Sequence, residues 1–473
     1  MTILPLHPAE HAASPERLRA FLEQCRTAAA RDGHSKLVSI SLAVDALDPL
    51  AVLESIFEPG EPHFYSERPT METAIAGAEV AVRHETRGAG RFAAVRAWVE
   101  ETLEHTIAVG DVTAPFGGPH FFAAFAFHDE VEAGEPFPAA ALFVPRWQVA
   151  LAGQTTTAVA NLLVTPEADL EALAQRVWRA HRRFQGFAFE EAGAAAAVPA
   201  TGPGIRVCEA GRYREVVAQA LARIGAGEFR KVVLARAQDL EADGPFHPLR
   251  VLNGLRQRFP DCYAFSFSLG GGPSFIGASP ERLVRVSKGW LETEALAGSI
   301  RRGAGASEDA ALAAALLRST KDADEHRQVV DDILGRLAPL GVVPDAPAPP
   351  QVRRLANVQH LHTAIRARMP ERLHVLDVLA AMHPTPAVGG SPRETAIPAI
   401  RELEGFPRGL YAGALGWLNS RGGGEFFVGI RSALVAGARA RVYAGAGIVA
   451  GSDAEKEFAE TELKFKAMLE AIA

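Results

Sequence analysis

Two charged residues lie inside apolar, strand-like sequence in the second half of the chain. Lys231 lies in FRKVVLAR, and its side chain points either to solvent or into the interior of a sheet. If it faces a cleft, burial would lower the pKa of the ammonium group and make a neutral amine available as a base. Glu281 lies in ASPERL between the strand-like runs SFIGA and LVRV, and no helix comes after it that it could cap. Glu281 is therefore either a turn residue or a functional carboxylate.

The same six letters, ASPERL, also run from Ala13 to Leu18, ahead of the helical sequence RLRAFLEQCRTAA. Ser14 as N-cap, Pro15 at the first helical position and Glu16 in the first turn are typical of an ordinary helix start. We interpret the first copy as a helix start and the second as a candidate site.

Four further charged residues lie on predicted helices. Glu325 lies in KDADEHRQVV, on a helix where most acidic residues face water. In the last helix, Glu457, Glu460 and Lys464 share one face, because they are spaced by three and four residues. That face is either solvated and carries a salt bridge, or it aims two carboxylates at a hard cation such as Mg²⁺.

Two segments near the end of the chain are suited to binding an anion. Arg431 lies in FFVGIRSALV, and a buried arginine needs a carboxylate or phosphate partner. The glycines of YAGAGIVAGS allow backbone N–H groups to approach a ligand closely. Their spacing is not GxGxxG, so the segment does not match the dinucleotide-binding fingerprint.

In the second half of the chain, predicted helices and predicted strands are clearly distinguished, and these elements must position the candidate residues. Several predicted strands follow one another without an intervening helix, which favours antiparallel sheets over a doubly wound parallel sheet. We therefore predict an α+β fold, with large, mostly antiparallel β-sheets packed against helices. The predicted helices are RYREVVAQALARI, SEDAALAAALLRS, DADEHRQVVDDILGRL and DAEKEFAETELKFKAMLEAI, and the predicted strands include CYAFSFSL, FFVGIRSALV and ARVYAGAGIVA.

The first half of the chain is less sharply patterned. HFFAAFAF and AALFVPRWQVAL are typical of strands, and EADLEALAQRVWRAHRRF is typical of a helix. The segment Glu190–Gly204, small and rich in Pro and Gly, indicates a linker or a surface crossover. We predict a single two-lobed catalytic unit, with residues 1–204 completing the fold and residues 205–473 forming the catalytic domain.

Composition excludes several classes of protein. The chain has 473 residues, 48% of them hydrophobic, and a net charge of −7 without a Lys/Arg cluster, which argues against a nucleic-acid partner. No secretory signal and no membrane span is predicted. Three scattered cysteines, without a CxxC pair, argue against a zinc site or a disulfide framework and favour the reducing cytoplasm.

Read in order, the second half resembles the chorismate-utilising enzymes. The resemblance covers about Phe229 to Lys464, with matching order and spacing, and no single motif carries it. It implies that the substrate is chorismate, a dianionic cyclohexadiene with an enolpyruvyl ether, and that Mg²⁺ is required. The matching segments are KVVLAR, FIGASPERL, TEALAGSI, KDADEHRQVV, HLHT, HPTPAVGGSP, GLYAGALGW, FFVGIRSAL and YAGAGIVAGSDAEKEFAETELK.

The resemblance also implies a role for each candidate residue. Lys231 is expected to be the base that activates water for attack at ring C2, and Glu281 the acid that protonates the departing C4 hydroxyl. Glu325 and Glu460 are expected to bind Mg²⁺, with Glu457 close by. The expected substrate contacts are Gly298, His383, Tyr411, Arg431, Ala444, Gly445, Gly447 and Lys464.

Within the family, the stretch EALAGS favours the branch that adds water. Amine-adding aminodeoxychorismate synthases commonly carry a lysine where this chain has Ala297, and an anthranilate synthase-like LLES motif is not found. We therefore expect an isochorismate synthase first, then a salicylate synthase, then an anthranilate synthase component I-like enzyme. Ser299, where threonine is frequent, is a mild departure.

A non-catalytic relative that binds an aromatic acid is the rival from another class. It is disfavoured because Lys231, Glu281, Glu325 and Glu460 are all present. The candidate partners are chorismate and a downstream pathway enzyme, which would serve menaquinone, siderophore or salicylate synthesis. The sequence predicts no oligomeric state.

Overall fold

The computed structural model describes residues 1–4, 14–56, 60–185, 205–345, 348–356 and 358–472, with only the backbone for 181–185. The predicted linker, Glu190–Gly204, lies outside the described residues. The helices are α1 (Pro15–Asp32), α2 (Pro49–Ile56), α3 (Arg91–Glu104), α4 (Leu170–Gln185), α5 (Tyr213–Gly225), α6 (Pro248–Arg258), α7 (Ala306–Arg318), α8 (Thr320–Leu337), α9 (Val375–Met382), α10 (Arg393–Glu404) and α11 (Ala454–Ile472).

The strands of the first half include the two runs that the sequence predicted, HFFAAF and the stretch around RWQVAL. These strands are β1 (Thr2–Ile3), β2 (Lys36–Val44), β3 (Pro62–Arg68), β4 (Thr73–Ala78), β5 (Val82–Thr86), β6 (Thr106–Gly110), β7 (His120–Phe125), β8 (Ala140–Val144), β9 (Trp147–Ala152) and β10 (Thr155–Val164).

The strands of the second half carry most of the candidate residues. They are β11 (Arg206–Ala210), β12 (Lys231–Glu241), β13 (Tyr263–Leu269), β14 (Ser274–Ser279), β15 (Arg282–Ser287), β16 (Trp290–Arg301), β17 (Gln351–Arg354), β18 (Val358–Arg368), β19 (Gly390–Ser391), β20 (Ala414–Asn419), β21 (Gly424–Val428), β22 (Ser432–Ala436) and β23 (Arg439–Val449).

The described strands form two sheets. The larger sheet has the order β1-β6-β2-β10-β9-β4-β3-β13-β14-β22-β23-β12-β11, with β19 also pairing β12. The second sheet has the order β17-β18-β16-β15-β21-β20-β7-β8-β5. Strand β6 runs parallel to β1 and β2, and the other described pairings are antiparallel. The predicted α+β class with mostly antiparallel sheets is confirmed.

Both sheets cross the predicted boundary between residues 204 and 205. In the larger sheet β3 pairs with β13, with Ser66 opposite Phe265. In the second sheet β7 pairs with β20, with Phe122 opposite Trp417. The aromatic core is shared too, because Phe64 stacks on Phe122 at 4.4 Å between ring centroids and meets Phe267 edge-on. The division into two lobes stays a prediction, and the strand pairing supports a first half that completes a common fold.

The first ASPERL copy starts helix α1, as predicted. Ser14 is the N-cap, its Oγ accepts the N–H of Arg17 at 3.3 Å, and Pro15 is the first helical residue. This copy has a capping role and lies apart from the cavity described below. Among the described helices, none has the length and apolar character needed to cross a membrane.

Candidate active site

A cavity lies between the strands around β12 and β23 and the helices α8 and α11. Apolar and charged side chains line it together, a combination typical of small-molecule sites. Most of the residues that the sequence singled out meet here, although they come from distant parts of the chain. The predicted residues that line it are Lys231, Glu281, Gly298, Glu325, Tyr411, Arg431, Ala444, Gly445, Gly447, Glu460 and Lys464.

Lys231 points into this cavity. It begins β12, which pairs along its length with β23 and places Lys231 opposite Val449. Lys231 is only 3% exposed, which rules out the solvent-facing orientation. Its Nζ donates to Oε1 of Glu325 at 2.8 Å. A buried lysine in an apolar strand requires such a partner, because an unpaired buried charge is costly.

Gly447 makes room for this ion pair. A Cβ at Gly447 would lie 3.1 Å from Cε of Lys231 and 3.4 Å from Oε1 of Glu325. The glycine of the predicted anion-binding segment therefore packs directly against the Lys231–Glu325 pair. Its small size has a steric function in addition to any backbone contact with a ligand.

Glu281 lies between β14 and β15 and is 5% exposed. Burial raises the pKa of its carboxyl to about 8, and the negative charge of Glu294 acts in the same direction. The positive charges of Lys231, Lys464 and Arg353 oppose this shift without cancelling it. The Glu281 carboxyl therefore keeps its proton at neutral pH, which is the state that a general acid needs.

The two candidate metal ligands that reach the cavity are each paired with a lysine. Burial acts to raise the pKa of Glu325, but the charge and hydrogen bond of Lys231 outweigh it, so the pKa lies below its usual value. Glu460 on α11 accepts from Nζ of Lys464 at 2.8 Å, and this Nζ also donates to the carbonyl oxygen of Gly445 at 2.7 Å. Within the described part of the chain, no cluster of three or more acidic, His or Cys residues is preassembled for a metal.

Arg431 and Tyr411 both line the cavity. Arg431 is 8% exposed and has a left-handed backbone, with φ of 50°, immediately before β22. The ring of Tyr411 stacks on that of Tyr443, with centroids 4.9 Å apart. A Cβ at Gly445 would lie 2.8 Å from the hydroxyl oxygen of Tyr411, so this position accepts only glycine without a shift. The cations Lys231, Arg431 and Lys464 outnumber the paired carboxylates Glu325 and Glu460 in the lining, which suits an anionic ligand.

Gly298 forms part of the cavity wall at an irregularity of β16. The pairing with β18 shifts register between Ala297 and Ser299, and Gly298 has φ of 74°, which favours glycine. A Cβ there would lie 3.2 Å from Cβ of Asp322 on α8. The glycine thus permits close contact between this strand and helix α8.

Two predicted site residues do not line the cavity. His383 is 1% exposed, its Nε2 lies 3.2 Å from the carbonyl oxygen of Ala126, and its ring contacts Phe92 and Phe127. Aromatic side chains enclose it, so its predicted contact with the substrate stays a prediction. Glu457 is buried on α11, and burial raises the pKa of its carboxyl. It stands one helical turn before Glu460, outside the cavity wall.

The sequence reasoning did not single out every residue of the cavity, and among those it missed is a histidine. His360 lines the cavity, and its Nδ1 lies 2.9 Å from Oγ of Ser299. Its Nε2 is buried and has no hydrogen-bond partner among the described residues. Burial and the charge of Arg431 hold the pKa of His360 well below its usual value, so the ring is neutral. The motif HLHT contained this residue, but nothing in the sequence distinguished its first histidine from its second.

Comparison with known proteins finds relatives that all belong to one family of enzymes. The sequence model of the family described as "Chorismate binding enzyme" matches residues 20–473, and so takes in most of the first half as well. The salicylate biosynthesis isochorismate synthase of Pseudomonas aeruginosa is 37% identical, over 100% of this chain and 96% of that protein. The isochorismate synthase MenF of Bacillus subtilis is 31% identical, over 93% of this chain and 94% of that protein.

A solved structure agrees with these relatives. The menaquinone-specific isochorismate synthase MenF of Escherichia coli superposes with a TM-score of 0.75 and 27% identity. The match covers 96% of this chain and 100% of that chain, so the similarity spans both sheets and their helices.

Proposed function

We propose that this chain, which belongs to the chorismate binding enzyme family, acts as an isochorismate synthase. It is an isomerase that converts chorismate to isochorismate. One observation in the site supports this function above the others. A carboxyl that keeps its proton, Glu281, and a buried amine, Lys231, line the same cationic cavity.

The proposed reaction adds water at ring C2 and removes the hydroxyl at C4. Lys231 is charged in its pair with Glu325, so it must first give up a proton, which bound Mg²⁺ would favour. The free amine then takes a proton from the attacking water, because water alone is a poor nucleophile. Glu281 gives its proton to the C4 hydroxyl, which leaves as water while the ring double bonds shift. One water enters and one leaves, so the substrate and the product are isomers.

The donor set of the cavity suits Mg²⁺, a hard cation that prefers oxygen ligands. Glu325 and Glu460 both line the cavity and would hold the ion, while Glu457, one turn before Glu460 on α11, does not line it. Bound Mg²⁺ would hold the ring carboxylate of chorismate and neutralise its charge. Lys231 and Lys464 occupy these carboxylates in the structure and would have to share them with the ion.

The remaining cationic wall is proposed to bind the enolpyruvyl carboxylate. Arg431 supplies the charge, and the Tyr411 hydroxyl lies beside the backbone of Gly445. Ala444, Gly445 and Gly447 line the same cavity. His360, which lines the cavity, is added to the proposed substrate contacts, and the predicted contact of His383 stays a prediction.

The test is chromatography of the products after incubation of the purified protein with chorismate and Mg²⁺, without ammonia or glutamine. A mixture of chorismate and isochorismate without pyruvate is expected. Salicylate together with pyruvate would assign the salicylate synthase reaction instead. Turnover only after ammonia is added would overturn the proposed water chemistry. The cytoplasmic location and a downstream enzyme as protein partner stay predictions.

A further inference from the structure

A second buried carboxylate, Glu294 on β16, binds the peptide next to the proposed acid and does not line the cavity. Glu294 is 8% exposed and is surrounded by donors. Its Oε1 accepts the backbone N–H of Arg282 at 2.8 Å, and the guanidinium of Arg353 donates to both of its oxygens at 3.1 and 3.2 Å. Nε2 of His362 lies 2.9 Å from Oε2. Every one of these contacts is suited to an ionised carboxylate.

The contact with Arg282 concerns Glu281 directly. The N–H that Glu294 accepts belongs to the peptide that joins Glu281 to Arg282. On its other side, the carbonyl oxygen of Glu281 accepts the N–H of Val428 at 3.1 Å. The peptide that carries the proposed acid is therefore fixed at both of its polar atoms. One of these two anchors is a charged side chain.

The charge of Glu294 also acts on the Glu281 carboxyl. Burial tends to raise the pKa of Glu294, but His362, Arg353 and the Arg282 amide outweigh it and hold this pKa at about 2. Glu294 thus stays negatively charged at every pH at which activity would be measured. It is the largest charge effect on Glu281 and opposes ionisation, whereas Lys231, Lys464 and Arg353 favour it. A like charge near a carboxyl disfavours the charged form.

We propose that Glu294 is a positioning residue for the reaction, which fixes the Glu281 peptide and whose negative charge keeps the proposed acid protonated. This inference rests on the proposed function of Glu281. Glu294 does not touch the substrate in this assignment. It acts through Glu281, so its removal changes the pH range of activity as well as the rate.

The test is the pH dependence of kcat/KM for chorismate conversion by Glu294→Gln at saturating Mg²⁺. Glutamine keeps the size and one acceptor but removes the charge. The high-pH limb, assigned to Glu281, is expected to move to lower pH by about one unit. At about pH 7.5 the loss is then roughly threefold, and it is recovered on acidification. An alkaline decline of kcat/KM at the same pH as in the wild type would overturn the proposal.

Two matched variants isolate the charge. Glu294→Asp keeps the charge and is expected to keep the limb near its wild-type position. Glu292→Gln removes a charge two residues away on the same strand, where the side chain is 35% exposed and pairs with Arg282 and Arg285. This control is expected to leave the limb unchanged. An equal shift in either of these variants overturns the proposal.

Glu294→Gln leaves Arg353 without its carboxylate, which can destabilise the fold. If thermal unfolding shows such a defect, the double variant Glu294→Gln/Arg353→Met removes the pair together. Its limb is still expected to move to lower pH, because Glu294 acts on Glu281 more strongly than Arg353 does. An unmoved limb in the folded double variant overturns the proposal.

The test also separates this inference from the proposed function. Wild-type rates in Glu281→Gln would contradict the role of Glu281 as the acid, and they would overturn the positioning role of Glu294 as well. An inactive Glu281→Gln together with an unmoved limb in Glu294→Gln would overturn the inference alone.

Discussion

Nζ of Lys231 lies 2.8 Å from Oε1 of Glu325, although 94 positions separate the two residues in the sequence. The contact joins the proposed base, on a strand, to a proposed metal ligand, on helix α8. Any cation that binds Glu325 must share its carboxylate with Lys231. The proposed base and a proposed metal ligand are therefore in direct contact, and Gly447 packs against both of them.

Replacing the proposed base is expected to remove turnover. Lys231→Met keeps much of the apolar stem but has no amine, so kcat should fall by at least about 10²-fold. The measurement is isochorismate formation by chromatography, together with chorismate binding by calorimetry, which should persist. Lys466→Met is the control, because Lys466 is 72% exposed and lies on the same helix as the proposed metal ligand Glu460. A wild-type rate in Lys231→Met would exclude this base.

The activity is expected to fall at alkaline pH. Glu281 must be protonated to act as an acid, and burial raises its pKa to about 8. On the alkaline side, kcat/KM should therefore decline as the pH rises through that value, tenfold per unit on the steep part. The measurement is a pH profile of the wild-type enzyme. A profile that still rises beyond about pH 9 would contradict the assignment.

Glu281→Gln is the matched variant for that profile. It keeps the shape of the side chain but cannot give up a proton, so turnover should be lost at every pH. Its thermal unfolding midpoint should stay near that of the wild type, because a neutral amide replaces a neutral carboxyl.

Adding one methyl group at Gly447 should disturb the Lys231–Glu325 pair. The new Cβ would lie 3.1 Å from Cε of Lys231, so the lysine or the strand must shift by a few tenths of an ångström. We expect kcat to fall by about 10-fold or more, since small displacements of reacting groups are costly. Gly254→Ala on α6 is the control, because nothing lies within 4 Å of its added Cβ. Equal activities in the two variants would show that the tight packing at Gly447 is unimportant.

Removal of divalent metal should abolish the activity. EDTA is expected to stop turnover, and added Mg²⁺ should restore it. Glu460→Gln weakens a proposed ligand and should raise the half-saturating Mg²⁺ concentration at least about tenfold. Glu470→Gln, which is 55% exposed on the same helix, should leave this concentration unchanged. Full activity in EDTA would disprove the metal site.

Local sequence was enough for several features of this protein. The two ASPERL copies differ in the residues directly after each, which are helical for the first copy and strand-like for the second, and the structure has both elements. The α+β class was predicted from neighbouring strands without intervening helices. These features depend on residues close together in the chain, whose backbone preferences do not need a distant partner.

Other features depended on which distant elements meet. The alternation of apolar and polar residues along a strand could not predict which way the Lys231 side chain points, because both faces of the first part of β12 are buried. His383 and Glu457 lie in suitable motifs, yet aromatic rings enclose His383, and the turn of α11 directs Glu460 to the cavity in place of Glu457.

The sequence by itself determined the residue types of the site and the elements that carry them. Only the tertiary structure decided that Lys231 pairs with Glu325, that Gly447 packs against this pair, and that Glu294 binds the peptide next to Glu281. The physical reason is that burial and Coulomb interactions act through space. They change the protonation of a carboxyl according to neighbours that the chain supplies from far away.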